Sequence, residues 1–327
     1  MVIRVGLVGT GYAAKVRATA FGTDVRSHVS AVAGRDATRT EAFAQEHGLW
    51  PMQSWQALVT DPKIDLVVVA TVNVLHAEVV ETALLAGKHV VVEYPLALDV
   101  AQAERLAALA VNKGLLLHVE HIELLDGLHV AMRSHLPQVG DVSYVNYRTL
   151  NPKNPVPLKW KYQQALFGFP FCGALSRVHR LTNLFGRVVR ADCCTQIMPH
   201  DTEPAYFKQV LSSGRLVFGS GIVAELTYGK GKGLWAPHRD VEIQGSLGAL
   251  AFVGNQGLLT TAAGECEIAV TPRRGLFVKD TEMVLAYLTE GTPLYVSVAE
   301  SIYALRVGEA LRRSSDRGET VYLEKSE

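Results

Sequence analysis

The stretch "VIRVGLVGTGYAAKVRATAF", residues 2–21, decides the fold. Residues 2–9 are an apolar strand that runs into a glycine turn, and residues 14–21 carry a helical pattern. Gly9-Thr10-Gly11-Tyr12-Ala13-Ala14 is a GxGxxA turn. Its first glycine permits the tight bend, and its second lets the backbone approach a pyrophosphate. Its final alanine lets the helix pack close to the strand, with the helix N-terminus facing the phosphates. A purely structural turn is the competing reading. The strand before and the helix after it are the context that favours a dinucleotide.

Outward from this unit, strand and helix keep alternating. Strands are expected at 28–34, 65–71, 89–92 and 115–120. The helix at 37–47 is capped by Asp36 and stopped by Gly48, a short one is opened by Ser54, and one spans 76–86 before Gly87. A further helix lies between Asp99 and Gly114. Continuous apolar strands such as "DLVVVAT" are those of a parallel sheet covered on both faces. The first 122 residues therefore predict a doubly wound α/β domain. Residues 123–327 predict an α+β domain with a large, mostly antiparallel open sheet. Its strand candidates are "DVSYVNYRTL", "RVVRADCCTQIM", "GIVAELTYGKG", "RDVEIQG", "GALAFVG" and "CEIAVTP". Helices are expected at about 172–185, 279–289 and 298–312, and "NPKNPVPLK" (151–159) is a loop.

Thirty-two basic and thirty-two acidic residues among 327 leave no net charge, which argues against a nucleic-acid partner. The hydrophobic fraction of 48% is that of a well-buried globular chain. The four cysteines form no CxxC pattern, and the first strand begins directly after Met1. Apolar runs are too short to cross a bilayer. These features predict a cytoplasmic protein without a membrane partner.

The second strand ends in Gly34-Arg35 where an NAD site places an acidic residue against the ribose 2′-hydroxyl. Arg35, with Thr38 and Arg39 nearby, suits a 2′-phosphate and points to NADP. The alternative is an exposed Arg35, with Asp36 reading the ribose.

The segment "DLVVVATVNVLHAEVVETALLAGKHVVVEYPLAL" (65–98) resembles the glucose–fructose oxidoreductase and inositol dehydrogenase family, whose members join a Rossmann domain to an open-sheet domain. To the cofactor contacts expected from the turn, Gly9, Thr10, Gly11, Tyr12 and Ala13, and from Arg35, the resemblance adds Thr71, Asn73 and His76 on the ribose and phosphate side and Glu93 near the nicotinamide, with Tyr94 as a cofactor-side wall. It also implies a cis peptide or sharp bend at Tyr94-Pro95. His76 has a second reading, as a histidine packed locally at a helix start. Tyr94 stands where the family places a catalytic lysine. Cys172 and Ser176 stand, by approximate register, where it places an aspartate and a histidine. Without these groups alcohol oxidation loses its base.

"EYPLAL", "LLHVEHIELL", "FGFPFCGALSRVHRLTNLFG", "RRGLF" and "PLYV" resemble, in order, the biliverdin reductases of the cyanobacterial type. That resemblance implies NADPH-dependent reduction of the tetrapyrrole biliverdin to bilirubin at the C10 methine bridge, a reaction that deprotonates no alcohol. Substrate propionates call for a few fixed cations in an apolar site. A helical wheel over residues 174–185 places Arg177 within an apolar arc and Arg180 toward the polar face. Strand alternation places Arg239 with Val241 and Ile243. The expected catalytic residues are Arg177, as a fixed cation beside C10, and Tyr94, as cofactor-side wall or proton donor. Arg239, Lys159 and His121 are the expected substrate-binding residues, with a paired structural arginine, an exposed lysine and a structural histidine as the respective alternatives. No metal site is expected, since His118 and His121 lack a third ligand, and a monomer is favoured. Two other functions fit the missing lysine: a related sugar, polyol or dihydrodiol oxidoreductase, and a non-catalytic NADP-sensing protein.

Overall fold

A computed structural model describes residues 2–323. The chain up to Ile122 and the segment Gly275–Ile302 form one unit; Glu123–Arg274 and the chain from Tyr303 onward form a second. A single boundary near residue 122 thus misses a returning segment. Its helix, Leu276–Glu290, buries Val284 and Leu285 in the same core as Val5, Leu7, Ala14, Phe21 and Val68. Burial of that apolar stripe is what holds the segment to the first unit.

In the first unit the strands are β1 (Ile3–Val8), β2 (Ser27–Ala33), β3 (Trp50–Pro51), β4 (Leu66–Val69), β5 (His89–Glu93) and β6 (Leu117–Glu120). They pair in parallel in the order β3-β2-β1-β4-β5-β6. The reversal of direction at β1 and β4 is the switch point outside whose carboxyl ends such sheets bind ligands. Asp36, Ser54 and Asp99 cap their helices through backbone N–H groups, and Gly48 and Gly114 end two of them in the left-handed conformation, as expected.

The second unit is a sheet of β7 (Val142–Pro152), β8 (Val188–Pro199), β9 (Phe207–Phe218), β10 (Val223–Gly231), β11 (His238–Gly245), β12 (Gly248–Val253), β13 (Gln256–Thr261), β14 (Gly264–Ala269) and β15 (Val321–Tyr322). The order is β14-β13-β12-β11-β7-β10-β9-β8-β15, and the β7–β10 pair runs parallel among otherwise antiparallel neighbours. Strand β9 is absent from the expected strands because "SSG" (212–214) has the composition of a turn. In the fold Gly214 lets Leu311 and Phe171 approach the strand, where a Cβ would crowd both.

The helix expected at 172–185 is two helices, Pro170–Gly173 and Ser176–Phe185, broken at Ala174. Both arginines lie on the second helix, and it is the covering of its expected polar face that decides their burial. Arg180 is buried at 2% exposure, whereas Arg177 is only partly covered, the reverse of the wheel reading. The supposed polar face packs on the segment led by Asp126, where His129 Nε2 meets Asn183 Oδ1 at 2.9 Å. Among the described residues, no helix is long and apolar enough to cross a membrane.

Candidate active site

The glycine turn has the backbone geometry that a phosphate cradle requires. Gly9 has φ +128°, and a Cβ there would overlap the Ala70 carbonyl, so only glycine fits. A Cβ on Gly11 would meet nothing within 4 Å, which leaves the backbone open to a ligand. The helix Tyr12–Thr23 begins without a side-chain cap, so its first N–H groups face outward for an anion. Ala14 is fully buried against the sheet, as the motif requires. Tyr12 is exposed, Thr10 and Ala13 are partly covered, and Tyr12 meets Phe277 edge-on at 6.4 Å.

At the end of β2, a Cβ on Gly34 would crowd the side chains of Thr40 and Thr10. Arg35 is exposed, and Asp36 spends an oxygen on the Arg39 N–H at 2.9 Å as the cap of the next helix. The carboxylate is thereby turned into the helix start.

Thr71 and His76 lie beyond β4, with Asn73 buried at the start of helix Asn73–Leu85. His76 is fully buried, with Nδ1 2.8 Å from the Pro95 carbonyl and Nε2 3.3 Å from that of Thr71. Burial lowers its pKa, so the neutral ring pins the loops after β4 and β5 together. The single N–H of the neutral ring is best placed on Nδ1, donating to the Pro95 carbonyl, which favours the positioning reading over direct ligation. The Tyr94–Pro95 peptide is cis. Tyr94 stacks on His121, ring centroids 5.4 Å apart and planes 5° from parallel. His121 is itself fixed, with Nε2 2.8 Å from Ser301 Oγ and its backbone N–H donating to the Tyr295 hydroxyl at 3.0 Å.

Beneath these residues lies an ionic cluster that sequence reading missed. Arg17, fully buried, donates to Glu93 at 3.1 Å and pairs with Asp280. His118 Nε2 (2.8 Å) and the Tyr295 hydroxyl (2.7 Å) both meet Asp280 Oδ1. Burial opposes the charge on Asp280, yet Arg17 and His118 hold its carboxyl well below the usual range. Glu93 is thus oriented by a cation whose other partner lies in the returning segment. A charged Arg17 at the spacing of Ala14, Ala18 and Phe21 was the available signal.

In the second unit, Arg177 donates from Nη1 to Ser176 Oγ at 2.9 Å, and its guanidinium lies 5.1 Å from the centre of the Tyr228 ring. Arg180 makes a two-pronged pair with Asp126, at 3.1 and 2.9 Å, with both side chains buried. Arg239 lies on the face of Val241 and Ile243 by register, but at the exposed end of β11. Its charge nonetheless senses the buried Tyr147, Asp126 and Arg180, and partial burial, followed by Arg273, lowers its pKa. Lys159 is likewise exposed. Lys230, not anticipated, is buried in a cage of Phe167, Tyr162, Phe207 and Tyr228. Cys172 is buried, and burial pushes its thiol up to about 12, so it is no base at neutral pH.

Residues 3–121 match an oxidoreductase family described by its NAD-binding Rossmann fold, and residues 137–323 match the C-terminal alpha/beta domain of the same family. Among solved structures, biliverdin reductase from Synechocystis sp. PCC 6803, in complex with biliverdin and NADP+, aligns with TM-score 0.94 and 47% identity, covering 96% of this chain and 99% of that one. Biliverdin reductase A of Mus musculus is 27% identical over 226 residues, 69% of this chain and 66% of its own. A dTDP-3,4-didehydro-2,6-dideoxy-alpha-D-glucose 3-reductase of Actinomadura kijaniata is 39% identical over 135 residues, 38% of this chain and 41% of its own. The last two alignments thus take in less than two thirds of those curated relatives' own lengths. With both domains of one family matched across nearly all of its length, the chain belongs to the glucose–fructose oxidoreductase, inositol dehydrogenase and MocA (GFO/IDH/MocA) family of oxidoreductases.

Proposed function

We propose that this protein reduces biliverdin to bilirubin with NADPH, by hydride transfer to the C10 methine. One observation carries the reading: where alcohol chemistry in this family needs a base, the chain has Tyr94, Cys172 and Ser176. Tyr94 is stacked on His121, the Cys172 thiol is held protonated by burial, and the Ser176 hydroxyl accepts from Arg177. A site of this kind cannot deprotonate an alcohol efficiently. Reduction of a methine bridge asks for no such step. The likeness to a Synechocystis enzyme holding biliverdin and NADP+ supports the same substrate class.

NADPH, when bound, would supply C10 with a hydride, that is one proton and two electrons. One further proton, drawn in net from the medium, completes the product on a pyrrole nitrogen. The turn from Gly9 to Ala13 holds the pyrophosphate, and Arg35 meets the 2′-phosphate. Thr71 and Asn73 flank the ribose and phosphate side, with His76 keeping their loop in register with that of Tyr94. Glu93, oriented by Arg17, and the Tyr94 ring wall the nicotinamide side. Arg177 stabilises charge that develops on the pyrrole nitrogens and lactam oxygens, more in the transition state than in neutral substrate. Arg239 and Lys159, both exposed, serve as outer charge partners for propionate, and His121 supports Tyr94. The test is spectroscopic: protein, NADPH and biliverdin are mixed, and the biliverdin absorbance should be replaced by a bilirubin band. An unchanged biliverdin spectrum with properly folded protein would rule the reaction out.

A further inference from the structure

Lys230 has an environment that neither cofactor nor packing explains. It sits on β10 with only 6% of its surface exposed. Its ammonium nitrogen lies 3.7 Å from the centre of the Phe167 ring, with Tyr162, Phe207 and Tyr228 at 5.1, 5.3 and 5.9 Å. Its hydrogen-bond acceptor is the Lys161 carbonyl, at 2.5 Å. Among the described residues, no carboxylate pairs with it.

Buried lysines are ordinarily paired, because an isolated charge in a low-dielectric interior is costly. Here four aromatic faces stand in for the missing anion, and they favour the charged form. The charged and titratable groups facing the amine oppose or leave it: Lys161 from the turn before Phe167, Arg177 from helix Ser176–Phe185, and the phenols of Tyr162 and Tyr228. Tyr228 is shared, since the Arg177 guanidinium packs on the same ring.

We infer that Lys230 is the titrating cation of the Arg177 neighbourhood, so that an anionic tetrapyrrole arriving at Arg177 draws a proton onto its amine. The inference rests on the function proposed above. Burial first, then Lys161 and Arg177, bring the amine down to about 7. Near neutrality the site thus holds a mixture of amine and ammonium. A dianionic ligand partly cancels the field of Arg177 and favours the ammonium, which links ligand binding to proton uptake. Propionates are already ionised at this pH. The proton so captured is stored beside the group proposed to stabilise charge at C10. The reduction consumes one proton besides the hydride. The ammonium releases it as charge builds on the pyrrole nitrogens, becomes the neutral amine, and is recharged from solvent.

Biliverdin binding to the NADP+ complex is measured by calorimetry at pH 7.5, in two buffers of different ionisation heat. The wild type should take up roughly half a proton per ligand, for a one-unit rise in the amine's pKa. Its affinity should fall up to about tenfold between pH 6.5 and 9. Lys230→Arg, permanently charged, should bind with no uptake and with pH-independent affinity; Lys230→Met should also take up none and bind more weakly than wild type at pH 6.5. Uptake that persists in Lys230→Arg would assign the proton to another group and overturn the inference. Wild-type binding with no uptake would overturn it without any variant. Absence of biliverdin binding altogether would remove the proposed function, and this inference with it.

Discussion

Arg180→Met is the substitution whose cost follows most directly from the geometry. Methionine keeps much of the buried stem and removes the guanidinium, leaving Asp126 fully buried with its charge. Asp126 cannot simply turn away, because Oδ1 also accepts from the His129 N–H at 2.9 Å and caps helix Gly127–His135. Removing one partner of a buried pair costs about 3–5 kcal/mol. Arg273, partly exposed and 3.4 Å from Asp126 Oδ2, offsets some of this, so about 3 kcal/mol is expected. Adding Asp126→Asn keeps a cap acceptor and removes the stranded charge. The double variant should therefore recover part of the loss, a non-additivity of about 1–2 kcal/mol. Arg177→Met, which removes a partly exposed stacking contact, should cost about 1 kcal/mol or less. Urea denaturation followed by far-ultraviolet circular dichroism measures wild type, Arg180→Met, Asp126→Asn, the double variant and Arg177→Met. An Arg180→Met variant within 1 kcal/mol of wild type, or a double variant less stable than the sum of its parts, would refute the buried-pair reasoning.

If Arg35 reads a 2′-phosphate, NADPH should exceed NADH in kcat/KM, and Arg35→Ala should remove about 1.5–3 kcal/mol of that preference. Equal use of both cofactors by the wild type contradicts this. Tyr94→Phe keeps the ring stacked on His121 and should retain most turnover; a loss of about a thousandfold would make the hydroxyl a principal proton donor. Arg177→Ala should lower kcat by about a hundredfold or more with NADPH affinity kept; normal turnover per folded molecule would make the residue structural. For Lys230, the folded-state value near 7 lies below that of the unfolded chain, so the unfolded state binds more protons between about pH 7 and 10.5. Lysine's contribution to stability therefore rises with pH across that window. The advantage of Lys230→Met over wild type in thermal melts should be largest below pH 7 and shrink by pH 10.

How far the sequence could be read depended on whether a signal was local. The GxGxxA turn, the Asp36 and Asp99 caps and the apolar runs of β4 and β5 are written within a few residues of where they act. Arg17 and Asp280 lie 263 positions apart, so no pattern within either segment announces their pairing. The helical wheel failed for Arg177 and Arg180 because it assumed one continuous helix with one solvated face. The break at Ala174 leaves both arginines on one helix, so it is the second assumption that fails: Asp126 and His129 cover the face expected to be solvated.

Yet Arg17, Arg180 and Lys230 share a feature: each is a cation at a buried position of its element, which the spacing announces for Arg17 and Lys230 but not for Arg180. Arg17 sits with Ala14, Ala18 and Phe21, Arg180 precedes Leu181 on a helix covered on two sides, and Lys230 alternates with Leu226 and Tyr228. Such a position demands a partner, and the sequence cannot say which kind. In the fold, Arg17 and Arg180 each find a buried carboxylate, and their charge is spent on holding segments together. Lys230 finds aromatic rings and two neighbouring cations instead, so its charge remains able to change. The same local anomaly thus resolves into structure where an anion is built in, and into a proton-binding site where the anion must come from outside.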